Sequence, residues 1–343
     1  MNIQDQWAYL KQDQPKLSTR DAAKLLGISE VELLVTKCGC GVRRLEANWG
    51  ELIQELPRLG KVKALTRNAE VIHEKTGEYE NVSIFGKMGL VLGRHIDLRL
   101  FLKHWQFGFA VEMESQYREM PSFQFFNGNG TAVHKVYLTT ESDSNAFEKL
   151  TERFLSKNQI PVQSVLSPEK LTLPIPDSKI NLWLFQKEWD ALRDTHDFIK
   201  LQRKFGVTRQ QALRLAGTER AYQVSSTSVR QLLEIVQENE TEIMLFVGSS
   251  GVIQIHTGLI SRLVVKDPYL KVINSNFKLH FREDPVAYCW VVLKPTVDGV
   301  VTSLETFNVS EQNTSMFFGK RKPGEPELEA WRKGIAQLPK KYA

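Results

Sequence analysis

"TRDAAKLLG" at 19–27 returns as "TRQQALRLAG" at 208–217, "VIHEKTG" at 71–77 as "VIQIHTG" at 252–258, and "SFQFFN" at 122–127 as "SLETFN" at 303–308. The pairs keep their order and a nearly constant offset, which marks duplication of a whole domain and not a short solenoid repeat. Around the first segment the signals are helical: Ser18 or Thr19 is placed to cap "RDAAKLLG", and Ser29 to cap "EVELLVTK". From about 60 to 139 the hydrophobic period changes to two, and "NGNG" within "PSFQFFNGNGTAVHKVYL" is set to close a hairpin.

Residues 143–155 return to helical spacing, after which Pro161, Pro168, Pro174 and Pro176 fall in one polar stretch that reads as a linker. The second half repeats the plan, with helices over about 180–238, strands over about 242–319 and a closing helix near 326–338. The expected fold class is therefore α+β, an internal duplication with two large antiparallel β-sheets, each with flanking helices. The expected domains are 1–157 and 180–343, joined by the Pro-rich linker 158–179.

A chain of 343 residues is long enough for two cores, and 42% hydrophobic with 25% charged residues excludes a disordered or collagenous protein. The start, "MNIQDQWAYLKQDQPKL", lacks the basic and apolar regions of a signal peptide. No stretch reaches the roughly 18–20 apolar residues of a bilayer span, so stable membrane insertion is not expected and the default compartment is the cytoplasm. Cys38, Cys40 and Cys289 form neither a disulfide framework nor a C-x-x-C motif. A formal charge of +5 permits an anionic partner without demanding nucleic acid, which is not expected here. A small ligand bearing carboxylates fits equally well.

One residue breaks the symmetry. His196 lies before Thr208 in "RDTHDFIKL", whereas the place before Thr19 reads "QWAYL", with Trp7 and no histidine. On a helix through 189–205, His196 would share a face with Trp189, Leu192 and Ile199, as a ligand or as a half-buried histidine bonded to a nearby carbonyl. In "HIDLRLFLKHW", strand alternation sets Arg99 opposite the stripe Ile96, Leu98, Leu100 and Leu102, free for a ligand or paired with Asp97. Arg209, Lys294 and Arg321, if they converge on one rim, would clamp two carboxylates. "GKMGLVLG" and "VGSSGV" lack the Gly-Lys-Ser/Thr of a P-loop, and neither H-E-x-x-H nor G-x-S-x-G occurs. These residues favour a binding pocket over a standard hydrolase.

The strings "DTHDFIKLQRKFGVTRQQAL", "DLRLFL", "EIMLFVG", "VVLKPTVDGVVTSLE" and "GKRKPGEPELEAWRKGIAQL" resemble the bacterial cytoplasmic haemin-degrading and haem-trafficking proteins of the HemS, ChuS and HmuS type. The resemblance covers nearly the whole chain, duplication included. It implies His196 as the proximal iron ligand and Arg99 as the distal-side residue, the two residues on which catalysis would rest. It also implies Arg209, Lys294 and Arg321 as the basic set near the haem, some of them pairing with propionates. Phe318 in "MFFGKR" stands where relatives carry tyrosine, which removes a phenol hydrogen bond near the ring. The implied function is oxygenase-like ring opening that releases iron after haem uptake, or a carrier role that delivers haem to a separate oxygenase. Without C-x-x-C-H the haem would be held non-covalently. Without a flavin or nicotinamide fingerprint the electrons would come from an external reductase. A haem-import transporter is the other implied partner.

Overall fold

A computed structural model describes residues 2–113, 120–167, 174–322 and 324–341, so 168–173 of the expected linker lie outside the described residues. The chain divides into two units, one of residues 1–67, 73–169 and 248–254, the other of 68–72, 170–247 and 255–343. Their strands are hydrogen-bonded into two nine-stranded antiparallel sheets built from six-stranded runs and three-stranded meanders. This is the expected α+β class.

Unit 1 opens with α1 (Ile3–Asp13), α2 (Thr19–Leu26) and α3 (Glu30–Val35). Ser18 is the cap of α2, accepting from the Asp21 N–H at 3.1 Å, and Ser29 forms a reciprocal capping box with Glu32 on α3. The first helix, which the sequence reading did not anticipate, buries Trp7 against Ala22, Ala23 and Leu33. The chain continues through β1 (Val42–Arg44), α4 (Trp49–Glu55), β2 (Gly60–Arg67), β3 (Val71–Gly77), β4 (Val82–Phe85), β5 (Met88–Leu92), β6 (Asp97–Phe101), β7 (Phe107–Val111), β8 (Ser122–Phe126), β9 (Ala132–Ser142) and α5 (Ser144–Arg153). Strand order is β1-β7-β8-β9-β2-β3, with β4-β5-β6 as the meander.

The "NGNG" turn joins β8 to β9 as expected, with the Gly130 N–H donating to Asn127 O at 3.0 Å. Glycine is required at 130 twice over. Its φ is 78°, and a Cβ there would lie 2.3 Å from Ser29 Oγ. Apolar side chains on one sheet face meet α4 and α5, where Phe123 packs tilted against Phe147 at 4.5 Å and Trp49 meets Phe125 edge-on at 5.7 Å. The segment 248–254 is tied into this unit because Gly251 O accepts from the Phe101 N–H at 2.9 Å and from Trp105 Nε1 at 3.0 Å.

Unit 2 repeats the order with α6 (Leu182–Asp190), α7 (Asp197–Phe205), α8 (Arg209–Leu215), β10 (Ala221–Val224), α9 (Ser228–Glu238), β11 (Ile243–Gly248), β12 (Val252–Gly258), β13 (Leu263–Lys266), β14 (Tyr269–Ile273), β15 (Phe277–Arg282), β16 (Val286–Thr296), β17 (Gly299–Asn308), β18 (Asn313–Gly319) and α10 (Glu329–Ala336). Its run is β10-β16-β17-β18-β11-β12, and its meander is β13-β14-β15. The expected helical stretch 180–238 is interrupted by β10, which pairs with β16 as β1 pairs with β7. Neither short strand is long enough to display a period of two, so the sequence pattern passed over both. No helix among the described residues is long and apolar enough to cross a membrane.

The closing helix is fastened by Trp331, which is fully buried and donates from Nε1 to Thr302 O at 3.0 Å. Gly319 makes room for it, since a Cβ at 319 would sit 2.6 Å from the indole. Trp331→Ala should lower the stability of unit 2 by about 3–5 kcal/mol, the usual cost of emptying a large aromatic site. Denaturant unfolding followed by tryptophan fluorescence measures it, and a loss below about 1 kcal/mol would show that α10 does not depend on this anchor.

Candidate functional site

The single helix expected over 189–205 is two helices with a turn between them. α6 ends at Asp190, α7 begins at Asp197, and His196 occupies the N-cap position of α7. It is therefore not the half-buried face residue of the sequence reading: its side chain is 86% exposed. The reason lies in "RDTHD", where Asp194 offers the backbone an alternative to helix. Its Oδ1 accepts from the His196 N–H at 2.7 Å and lies 2.5 Å from the ring Nδ1. The His196 N–H holds the Asp194 carboxyl below the usual carboxylate range. A carboxylate is an acceptor only, so in the neutral imidazole Nδ1 carries the proton and Nε2 presents its lone pair. No other hydrogen bond to the ring occurs among the described residues.

Two residues along α7, Phe198 is buried and anchors the helix. Its ring meets Trp189 of α6 edge-on at 4.9 Å, while the Arg209 guanidinium and the Lys294 ammonium lie 5.1 and 4.9 Å from its centroid. Both cations are held by Glu305. Arg209 donates from Nε and Nη2 to the two carboxylate oxygens at 2.7 Å each, Lys294 Nζ donates at 2.8 Å, and Ser303 Oγ at 3.1 Å. Arg209 and Lys294 thus converge on a carboxylate of the protein itself.

Glu305 is fully buried, and burial alone would raise its pKa. The two cations outweigh that effect and hold it well below the usual carboxylate range. Burial pulls Lys294 down to about 8, against the upward pull of Glu305.

The sequence reading missed Glu305 and Asp194. The signal for Glu305 was present in the duplicated strings, since "SLETFN" has Glu305 where "SFQFFN" has Gln124. Gln124 is also buried, and it bonds Ser122 Oγ at 3.0 Å without any cation.

Arg321 follows β18 and pairs with Asp298 at 3.4 Å, leaving a buried Nε with no acceptor among the described residues. Phe318, on β18, packs edge-on against Phe246 at 5.1 Å. In unit 1, Arg99 stands half-buried on β6 opposite the buried Leu98 and Leu100, as the alternation predicted. Leu102 has already left the strand for a short 3-10 turn. Arg99 Nη1 bonds the Asp97 carboxylate, and its Nε and Nη2 make no hydrogen bond among the described residues. Burial raises Asp97 against the opposing effect of Arg99, and lowers the neighbouring Lys75 to about 8.

Two outcomes follow from the buried cluster. Glu305→Gln leaves Arg209 and Lys294 without their countercharge, and unit 2 should lose about 3–5 kcal/mol in a denaturant melt. A near-neutral change would mean that the cations do not need the carboxylate. The Lys294 pKa is lower in the folded than in the unfolded state, so below pH 8 the folded state bears the full cost of the buried ammonium. That cost is relieved as pH rises towards 10.5, and the stability of the native chain should climb relative to Lys294→Met across this window. A flat difference between the two proteins would contradict the assignment.

Comparison with known proteins places these residues in a family. The model of the haemin-degrading HemS/ChuX domain matches twice, over residues 27–154 and 206–338. The chain is 38% identical to the hemin transport protein HmuS of Yersinia pestis over 340 residues, covering 98% of this chain and 97% of the relative. Among solved structures, holo-PhuS, a heme-binding protein of Pseudomonas aeruginosa, is 39% identical with a TM-score of 0.96 over 98% of both chains. ChuS, an E. coli heme oxygenase, is 34% identical with a TM-score of 0.88 over 98% of this chain and 99% of its own. With two family domains in order and full-length similarity at this level, the chain belongs to the haemin-degrading HemS/ChuX family.

Proposed function

We propose that the protein is a cytoplasmic haem-binding protein that opens the porphyrin ring by an oxygenase-like reaction and so releases iron after haem uptake. The observation that carries the reading is His196, an exposed imidazole whose Nδ1 is engaged and whose Nε2 is unused, within a chain of this family. The residues suit haem as a non-covalent substrate. An imidazole nitrogen is a standard ligand of haem iron. The buried, acceptor-less Nε of Arg321 is a basic group with capacity for an incoming carboxylate. Arg209 and Lys294 are engaged by Glu305 and serve this reading by holding Phe198, and with it α7, in place. Arg99 is assigned to the distal side, where its unused guanidinium N–H groups would donate to a ligand on the iron. Domain roles follow: the C-terminal repeat carries the proximal histidine, and the N-terminal repeat carries Arg99.

Bound iron supplies the oxygen chemistry, and the protein supplies the axial nitrogen, the hydrogen-bond donors and a fixed geometry. Electrons come from an external reductase, and a haem-import transporter is the proposed source of substrate. A second reading has specific support, because HmuS is named a hemin transport protein and PhuS a heme-binding protein, while ChuS is named a heme oxygenase. On that reading the chain buffers haem and hands it to a separate oxygenase.

An absorption titration with haemin should show one saturating site, and His196→Ala should lose the normal axial-ligand spectrum. Haem with reductant and dioxygen, in the presence of catalase, should yield carbon monoxide or a biliverdin-like chromophore. Arg99→Ala should retain haem but turn over about 10- to 100-fold more slowly, the worth of one charge-assisted hydrogen bond. Intact haem after this incubation, together with rapid transfer to an acceptor, would favour the carrier over the enzyme. An unaltered spectrum in His196→Ala would remove the ligand assignment itself.

A further inference from the structure

We propose that Asp194 is the positioning residue of the iron ligand: it holds the His196 ring with Nε2 outward and strengthens the electron donation of that nitrogen. The inference rests on the reading of His196 as ligand and adds a residue to it. One carboxylate oxygen of Asp194 is shared by the backbone N–H of His196 at 2.7 Å and the ring Nδ1 at 2.5 Å. Main chain and side chain of the same residue are thus bonded to one atom, which favours one χ1 and χ2 setting of an 86% exposed side chain. A carboxylate behind Nδ1 sets the tautomer and raises the basicity of Nε2, as outer partners of metal-bound histidines do.

The support beneath Asp194 is itself tied down. Asp194 O accepts from the Asp197 N–H at 3.1 Å, and Arg193 O accepts from the Val297 N–H at 3.0 Å in the β16–β17 turn. The other nearby carboxylate does not compete, because Asp197 is paired with Lys200 at 2.8 Å. In the first half Asp5 stands at the place of Asp194 before Thr19, but Trp7 stands at the place of His196, so the aspartate has an imidazole to hold only in the second copy. A negative charge hydrogen-bonded to the ligand favours ferric over ferrous iron, and the reduction potential is set lower than a neutral partner would set it.

The experiment uses the full-length protein loaded with haemin. Asp194→Asn keeps an oxygen acceptor for both donors while removing the charge, Asp194→Ala removes both, and Asp197→Asn is the control for a nearby charge. In the ferrous form, resonance Raman should show the iron–histidine stretch at lower frequency in both Asp194 variants and unchanged in Asp197→Asn. The midpoint potential of the iron should move positive in the Asp194 variants alone. Asp194→Ala should also bind haem about 10- to 100-fold more weakly, the usual loss when an outer partner is removed. Native stretch and potential in both Asp194 variants would overturn the proposal, as would an equal shift in Asp197→Asn. His196→Ala, measured alongside, separates this outcome from failure of the parent reading, since loss of the axial-ligand spectrum there confirms the ligand whatever Asp194 does.

Discussion

A carboxylate with no access to water has to be matched by cations inside the fold, and the arrangement around His196 follows from how Glu305 meets that demand. Left alone, an ionised side chain in a buried strand costs several kcal/mol. Glu305 recruits Arg209 from the first turn of α8 and Lys294 from β16, and the recruited cations close over the face of Phe198. Phe198 in turn fixes the start of α7, where the chain makes the turn that carries His196 outward. Such a cluster is a weak source of net stability but a stringent condition on geometry, because only one placement of both cations satisfies the carboxylate.

The duplication makes the specialisation visible. At the position of Glu305 the first copy has Gln124, whose Nε2 donates to Ser122 Oγ, whereas Glu305 accepts from Ser303 Oγ. The same serine neighbour is thus an acceptor in one strand and a donor in the other, as the change from amide to carboxylate requires. Unit 1 keeps a buried ion pair of its own, Lys135 with Glu30, which ties β9 to α3. Unit 2 holds His196, Arg209, Lys294, Phe318 and Arg321 together with the charge cluster, whereas Arg99 lies in unit 1, paired with the nearby Asp97.

Much of the fold was legible because its signals are local and periodic. Helix caps at Ser18 and Ser29, the Asn-Gly turn and the period-two strands depend on neighbours a few residues apart, and each stands where the pattern put it. What escaped was of two kinds. β1 and β10 are too short to show a period and exist because a longer strand offers them an edge. The break between α6 and α7 was hidden because apolar spacing through Trp189, Leu192 and Ile199 mimics one continuous helix, while Asp194 diverts the backbone by bonding the His196 N–H. For the basic residues the sequence left convergence as a condition: Arg209 and Lys294 meet on a buried glutamate 96 and 11 residues away in the chain, and spacing carries no information about it.

The sequence by itself determined the duplication, the α+β class, the family and the histidine unique to the second copy. All of these are written in order, period and residue identity. Tertiary structure alone decided the state of that histidine: exposed instead of half-buried, bound to Asp194 at Nδ1 and open at Nε2. It also decided that Arg209 and Lys294 are spent on Glu305 while Arg321 Nε is left with no acceptor among the described residues. The physical reason is that burial and pairing are properties of three-dimensional neighbours. A charge is free or used, and a nitrogen is a donor or a lone pair, only once the fold has chosen what lies next to it.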